Sequence, residues 1–360
     1  SQAETWTNKA NLPQAALGSG ARALGVAALN GKFYTVGGLN WPSALPTVLE
    51  YNPVSDVWSN KANMLTARYA PAAAAVNGKL YAIGGGEGSG LGPKTALATV
   101  EEYDPLANTW TNKASMFTAR YAHQAVALNG KIYALGGRPT ADGPTLASVE
   151  EYNPVLNTWS TKADMPTPVL SFGAAVLHGK IYVVGGGTYS GGAVAAVYSY
   201  DPSLDMWATN ASISIMRGTL AAVTVNGKIL AMGGDIGVPG GSAAVEEYDP
   251  IANTWSSKPD MPTARNECFA VPIGDLLYVF GGYDQWTMQA LVVPPTLNVF
   301  TAIELDFQTH TGMVYQLQAS SDLTNWTNFD SPIQGTGTNW SKTYSTRGSE
   351  KTFFRLELIP

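Results

Sequence analysis

A short run of β character ending in a glycine pair recurs six times, and this repetition restricts the chain to repeat architectures before any single residue is weighed. The pairs are Gly37-Gly38, Gly84-Gly85, Gly136-Gly137, Gly185-Gly186, Gly233-Gly234 and Gly281-Gly282. They follow the runs 32–36, 79–83, 131–135, 180–184, 228–232 and 276–280, each rich in Ile, Leu, Val, Tyr or Phe. Five runs are entered through a two-residue turn: Asn30-Gly31, Asn77-Gly78, Asn129-Gly130, His178-Gly179 and Asn226-Gly227. Asn-Gly between apolar runs signals a hairpin, because a type I′ turn needs positive φ at both central positions. The sixth copy carries the permuted pair Gly274-Asp275. After each of the first five glycine pairs comes a variable loop, then a third run ending in Tyr51-Asn52-Pro53, Tyr103-Asp104-Pro105, Tyr152-Asn153-Pro154, Tyr200-Asp201-Pro202 or Tyr248-Asp249-Pro250. Asx-Pro stops a strand and starts a turn. A tryptophan then opens the fourth run. Trp6, Trp58, Trp110, Trp159, Trp207 and Trp255 are spaced by 52, 52, 49, 48 and 48 residues.

Each unit is therefore four short strands in about 50 residues, with no helical periodicity. The glycine pair, the Tyr-Asx-Pro and the trailing Trp, in register through residues 1–293, resemble kelch repeats. That resemblance implies an all-β fold, a six-bladed β-propeller. Radial repetition of four-stranded sheets also answers the problem of exposed sheet edges. The chain opens inside a fourth strand, at Trp6, and ends its repeats at 287–293 with a third strand lacking a fourth. The N-terminal strand is thus expected to complete the last blade. Pro294-Pro295 marks a stiff linker over 294–296. Residues 297–360 alternate apolar and polar at 300–307, 314–318 and 352–358, which predicts a small antiparallel β domain of sandwich type. The tail resembles β domains appended to secreted bacterial proteins.

In a four-strand meander the connections sort onto two faces. The Asn-Gly and Asx-Pro turns share one face and repeat almost verbatim. The other face carries the blade-to-blade connections and the variable loops 39–47, 86–98, 138–147, 187–195, 235–243 and 283–286. Recognition on a rigid scaffold normally resides in such loops. Arg68, Arg120, Arg217 and Arg265 each fall ten residues after their blade's tryptophan, at the start of the innermost strand; Val169 takes that place in the fourth blade, and Arg22 is displaced by one. Guanidiniums at a channel mouth would hold a carboxylate or another anion. The alternative is that they bond loop carbonyls between blades. Glu267, two residues beyond Arg265, is a candidate acid/base or sugar-hydroxyl acceptor, or else merely pairs with an arginine. Asn40, Trp41, Glu87, Arg138, Tyr189, Asp235, Tyr283, Asp284 and Trp286 are further ligand-binding candidates on this face.

Several chemistries are excluded. Only 13% of residues are charged and the net charge is −6, which argues against a nucleic-acid partner. No run approaches 18 consecutive apolar residues, so no membrane span is expected. One cysteine, Cys268, rules out an intramolecular disulfide framework and fits a buried apolar filler. The copper site of kelch-type oxidases requires histidines that this chain does not place: His123 lies on the far side of its strand, His178 in a hairpin turn and His310 in the tail. No Gly-x-Ser-x-Gly elbow, phosphate loop or zinc spacing occurs, so no metal or cofactor is expected. The repeated Glu-Glu-Tyr carboxylates are read as surface solvation or blade-to-blade bonding.

Two functions fit. One is a secreted, monomeric binding module that recognises a glycan or an extracellular protein through the variable face. The other, implied by similarity to six-bladed N-acetylneuraminate epimerases, is an enzyme on an acidic sugar, with the arginines as carboxylate clamp and Glu267 as acid/base. Low charge, many Thr, Asn and Gly and the appended tail suit an extracellular bacterial protein. The chain begins inside a strand with no charged start or apolar stretch, so it is expected to be a processed product from which the signal peptide is absent.

Overall fold

The Asn-Gly turns form as the sequence requires: Asn30 and Gly31 adopt φ of 53° and 72°, and the other four pairs repeat those values closely. Each turn joins the first two strands of a four-stranded antiparallel sheet. The structure, a computed structural model, describes residues 6–17, 22–88, 95–188, 192–282, 285–293, 302–308, 311, 313–320, 327–328, 331–336, 339–345 and 353–359. Contacts divide the chain into two units, Ser1–Pro295 and Thr296–Pro360.

Among the described residues of the first unit there are six four-stranded sheets, each a simple meander. Blade 1, for example, runs Leu24–Leu29, Lys32–Gly37, Val48–Asn52 and Val57–Asn60, from innermost to outermost. The innermost strands of blades 2 to 6 are Ala72–Val76, Gln124–Leu128, Gly173–Leu177, Ala221–Val225 and Phe269–Ile273. Each touches the next, and the sixth touches the first, so the six close a ring around a central channel. These strands carry Ala, Gly and Val because blades converge toward the axis and leave little room. A Cβ on Gly173, for instance, would sit 2.6 Å from the Ala222 methyl. Blade 6 takes its outer strand from the other end of the chain: Trp6–Lys9 pairs antiparallel with Met288–Val292, Trp6 opposite Leu291. Within this unit the described helical structure is one turn, Gln14–Leu17.

Adjacent blades are clamped through the tryptophans. Trp58, Trp110, Trp159, Trp207 and Trp255 donate from Nε1 to the carbonyls of Ala10, Ala62, Ala114, Ala163 and Ala211, each at the end of the preceding outer strand. The same alanines donate their N–H to a turn residue of the next blade, Asp56, Asn108, Asn157, Asp205 or Asn253. That turn residue also accepts from its own blade's tyrosine, as in Tyr103 Oη to Asn108 Oδ1 at 2.7 Å.

The variable loops are more ordered than loops alone. Leu39–Asn40 pairs with Ser43–Ala44, Gly86–Glu87 with Thr95–Ala96, and Gly187–Thr188 with Gly192–Ala193, each a two-stranded ribbon.

In the second unit, Ala302–Gln308 pairs antiparallel with Asn339–Ser345. Val314–Ser320 pairs with Phe353–Ile359 and with two short strands, Thr327–Asn328 and Ile333–Gln334. Strand 339–345 has no counterpart among the expected runs. Both faces of Val314–Ser320 are buried, Tyr315 and Leu317 on one and Gln316 and Gln318 on the other. A strand covered on both sides loses the simple alternation that makes half-buried strands legible.

Candidate functional site at the channel mouth

The repeat arginines do not line the channel mouth. Arg68, Arg120, Arg217 and Arg265 are 0% exposed. Their guanidiniums turn into their own blades, where both Nη groups are hydrogen-bonded, while the Nε of Arg68, Arg217 and Arg265 is buried without an acceptor among the described residues. Arg68 donates to the carbonyls of Gly84 and Thr99 and pairs with Glu101 at 2.7 Å. Arg120 does the same with Gly136, Ser148 and Glu150, and Arg217 with Gly233, Ala244 and Glu246. Arg265 reaches the Gly281 carbonyl, Thr287 Oγ1 and Gln289 Oε1. The carboxylate clamp expected of these side chains is therefore corrected. The physical reason is that a buried cation must be hydrogen-bonded, and the blade supplies its acceptors from the glycine pair after the second strand and from the start of the third.

The first glutamate of each Glu-Glu pair is that acceptor. Glu101, Glu150 and Glu246 are buried and also accept backbone N–H groups, Glu101 from both Leu65 and Thr66. The second glutamates meet lysines instead: Glu102 and Glu247 are partly exposed, whereas Glu151 is buried yet still pairs with Lys131 and Lys162. Glu102 pairs with Lys113, and Glu247 with Lys228 and Lys258.

The arginine backbone explains the glycine pair. The Arg68 carbonyl accepts from Gly38 N, and a Cβ on Gly37 would lie 2.5 Å from that same oxygen. The blade-to-blade bonding expected of the arginines thus belongs to their main chain, while their side chains act within the blade.

Two residues past each of these positions the chain reaches the channel. Ala23, Ala70, Ala122, Ser171, Thr219 and Glu267 occupy equivalent places just before the six inner strands, and all six adopt φ between 45° and 56°. They form a hydrogen-bonded annulus. The N–H groups of Ala70, Ala122, Ser171 and Thr219 donate to the carbonyls of Ala23, Ala70, Ala122 and Ser171. Glu267 N donates to Thr219 Oγ1 at 3.1 Å. Across the join between blades 6 and 1, a carboxylate closes the circle: Ala23 N donates to Glu267 Oε2 at 3.0 Å. The annulus opens into a cavity of about 350 Å³, lined by these six residues and the first residues of the inner strands.

Among the described residues of that lining Glu267 carries the one carboxyl, and there is no lysine or arginine. Burial pushes its carboxyl above the ordinary carboxylate range; the Ala23 N–H and the Arg22 charge oppose that shift, and Asp235 adds to it. Among the described residues no lysine or arginine pairs with it, so the pairing with Arg265 considered from sequence is not formed. Arg22 differs from the buried four. It stands one residue before Ala23, in the register of Tyr69 and Tyr121, and is partly exposed.

The remaining candidates divide. Trp41, at the tip of the Leu39–Asn40 ribbon, is 48% exposed, and Asn40 beside it is partly exposed. Glu87 is exposed, and so is Asp235, which accepts from Gly237 N. Arg138 lies over the Tyr121 ring at 5.1 Å and donates to the Ala141 carbonyl. Trp286 packs against the core that holds Leu12 and Leu17, and its carbonyl accepts from Leu12 N. It is a packing residue rather than a free platform. Tyr189, Tyr283 and Asp284 lie outside the described residues. His123 takes a place that its siblings fill with Leu24, Pro71, Phe172, Leu220 and Cys268. It is buried, and burial holds it neutral, with its pKa well below the usual imidazole range. Cys268 is buried as well, and burial drives its thiol up to about 12. Among the described residues no group of three His, Cys, Asp or Glu could hold a metal ion, and no helix is long and apolar enough to cross a membrane.

The annulus was not singled out by sequence, yet it carried a signal. Two residues past the repeat arginine the register reads Ala70, Ala122, Thr219 and Glu267, small everywhere but once.

Comparisons with known proteins bear on this architecture. Residues 122–312 match the KLHDC2/KLHL20/DRC7 Kelch-repeats domain, and residues 21–65 and 67–117 match the Kelch motif. Kelch-like protein 25 of Xenopus tropicalis is 30% identical over 132 residues, covering 35% of this chain and 22% of that protein. Kelch-like protein 26 of Danio rerio is 32% identical over 110 residues, 31% of this chain and 18% of that one. An F-box/kelch-repeat protein of Arabidopsis thaliana is 34% identical over 91 residues, 25% of this chain and 23% of its own length. These matches span about a fifth of each relative. The solved structure of YjhT superposes with a TM-score of 0.66 at 17% identity, over 78% of this chain and 96% of that one. At that identity the likeness speaks for the fold alone.

Proposed function

Because the chain belongs to the kelch-repeat family and its blades differ most where they surround one end of the channel, we propose that it is a binding protein. Its ligand, a glycan or a segment of another protein, is held on the variable-loop face at the channel mouth. The observation that carries this reading is Glu267. Five equivalent positions of the annulus hold Ala, Ser or Thr, and the sixth places a carboxyl over a cavity of about 350 Å³. A ligand site needs a few convergent polar groups in a preformed concavity, and a propeller mouth supplies one. Trp41, exposed on a ribbon beside that face, adds a ring on which a sugar or an aromatic side chain can stack.

Glycan and peptide arrays test this with three chains: wild type, Trp41→Ala with Glu267→Gln, and Leu106→Ala on the opposite face. The variable-face variant should lose binding at least tenfold, and the Leu106 variant should bind as wild type. The reverse pattern would overturn the proposal.

One observation favours a catalytic reading: the upward shift of the Glu267 carboxyl suits an acid/base group. The arginine clamp that an acidic sugar would need is already occupied. Glu267→Gln in a sugar-acid mutarotation assay decides this, because an enzyme would lose turnover while a binding module shows none to lose.

A further inference from the structure

We propose that the channel mouth recognises a primary ammonium group, with Glu267 as its counter-ion. The inference rests on the binding reading above and names the class of ligand. It follows from the accounting of donors and acceptors around the annulus. The N–H groups of all six residues are committed: four to neighbouring carbonyls, Ala23 to Glu267 Oε2 and Glu267 to Thr219 Oγ1. An anion would find no free backbone donor among these six residues of the annulus. Acceptor capacity is left over, because a carbonyl and a carboxylate oxygen each offer more than one lone pair.

Charge points the same way. The four repeat arginines are fully buried, and their Nη groups are bonded inside their own blades, out of reach of the channel. The described cavity lining includes no lysine or arginine and one carboxylic acid, Glu267; its other titratable groups, His123 and Cys268, are held neutral by burial. Arg22, from the blade 1 side, and Asp235, from the blade 5 side, are the charged groups that act on it. An ammonium brings three donors and no acceptor, which complements an acceptor-rich ring with a single carboxylate. The cavity accommodates a slender alkyl chain behind such a head, as in a lysine side chain or a small alkylamine.

The test titrates the full chain with n-butylammonium chloride by calorimetry or NMR, at constant ionic strength. Sodium butyrate, 1-butanol and tetramethylammonium chloride serve as controls. Saturable binding is expected for butylammonium alone, weakened at least tenfold by Glu267→Gln and a few-fold by Asp235→Asn. Arg22→Ala, which removes a competing cation, should leave it equal or tighter. Affinity should rise with pH as Glu267 ionises, and that dependence should vanish in Glu267→Gln. Butyrate binding as well as butylammonium, or Glu267→Gln binding as tightly as wild type, would overturn the proposal. The comparison among the four probes needs only wild-type protein, so it stands even if the variant folds poorly. Butylammonium competition with an array ligand separates the two readings. A ligand lost on Trp41→Ala but indifferent to butylammonium refutes the ammonium class and keeps the face. A ligand sensitive only to Leu106→Ala refutes the face itself.

Discussion

At the scale of single residues, arginine and its carboxylate are present or absent together in blades 2 to 5, and blade 6 is the exception. Blades 2, 3 and 5 pair Arg68 with Glu101, Arg120 with Glu150 and Arg217 with Glu246. Blade 4 has Val169 and Tyr198 at the same two places, both uncharged. Blade 6 keeps Arg265 but offers Gln289, a neutral acceptor at 3.4 Å. The pattern is what desolvation demands, since removing one partner of a buried pair leaves an uncompensated charge. Arg120→Met should therefore cost about 3–5 kcal/mol. The double change Arg120→Val with Glu150→Tyr, which copies blade 4, should cost much less. Urea denaturation measures both, and equal losses would mean the pair is not coupled. The repeat arginines were legible in the sequence as a register, but their direction was not. A side chain two residues from the channel can point to it or into the blade, and only the third-strand carboxylate, some thirty residues away, settles which.

At the scale of the element, the turn between third and fourth strands does more than reverse the chain. Asn108 sits at φ 53°, where its short polar side chain is tolerated. Its Oδ1 binds its own blade through Tyr103 and the preceding blade through Ala62 N. Asn108→Ala should cost about 3 kcal/mol, about 1 for each hydrogen bond and about 1 for a methyl-bearing residue held at positive φ. Asn108→Asp, the residue that blades 1 and 4 already use, should be near neutral. Thermal melts of the two variants against wild type check the contrast. This clamp, like the tryptophan above it, was visible as a recurring residue type. Its partner, an alanine at the end of the previous blade's outer strand, was not, because alanine carries no signature of what its backbone binds.

At the scale of the propeller, the join between blades 6 and 1 carries the non-local load. Trp6–Lys9 pairs with Met288–Val292, Leu12 N donates to the Trp286 carbonyl, and Ala23 N donates to Glu267. Deleting residues 1–9 exposes the Met288–Val292 edge and should lower the melting temperature by roughly 5–15 °C. A peptide of residues 1–12 added in excess should recover part of the loss; unchanged melting would overturn the closure. In the propeller, the sequence by itself determined the four strands of each blade, their turns, the meander and the closure. Each of these follows from rules that operate within one fifty-residue unit or repeat between units: Asn-Gly turns, alternation, Asx-Pro stops and recurring tryptophans. Only the tertiary structure decided which polar groups meet a ligand. Burial and hydrogen bonding depend on atoms brought together from distant parts of the chain. They took the arginines out of the channel, and by closing a ring across 244 residues they left one carboxyl at its mouth.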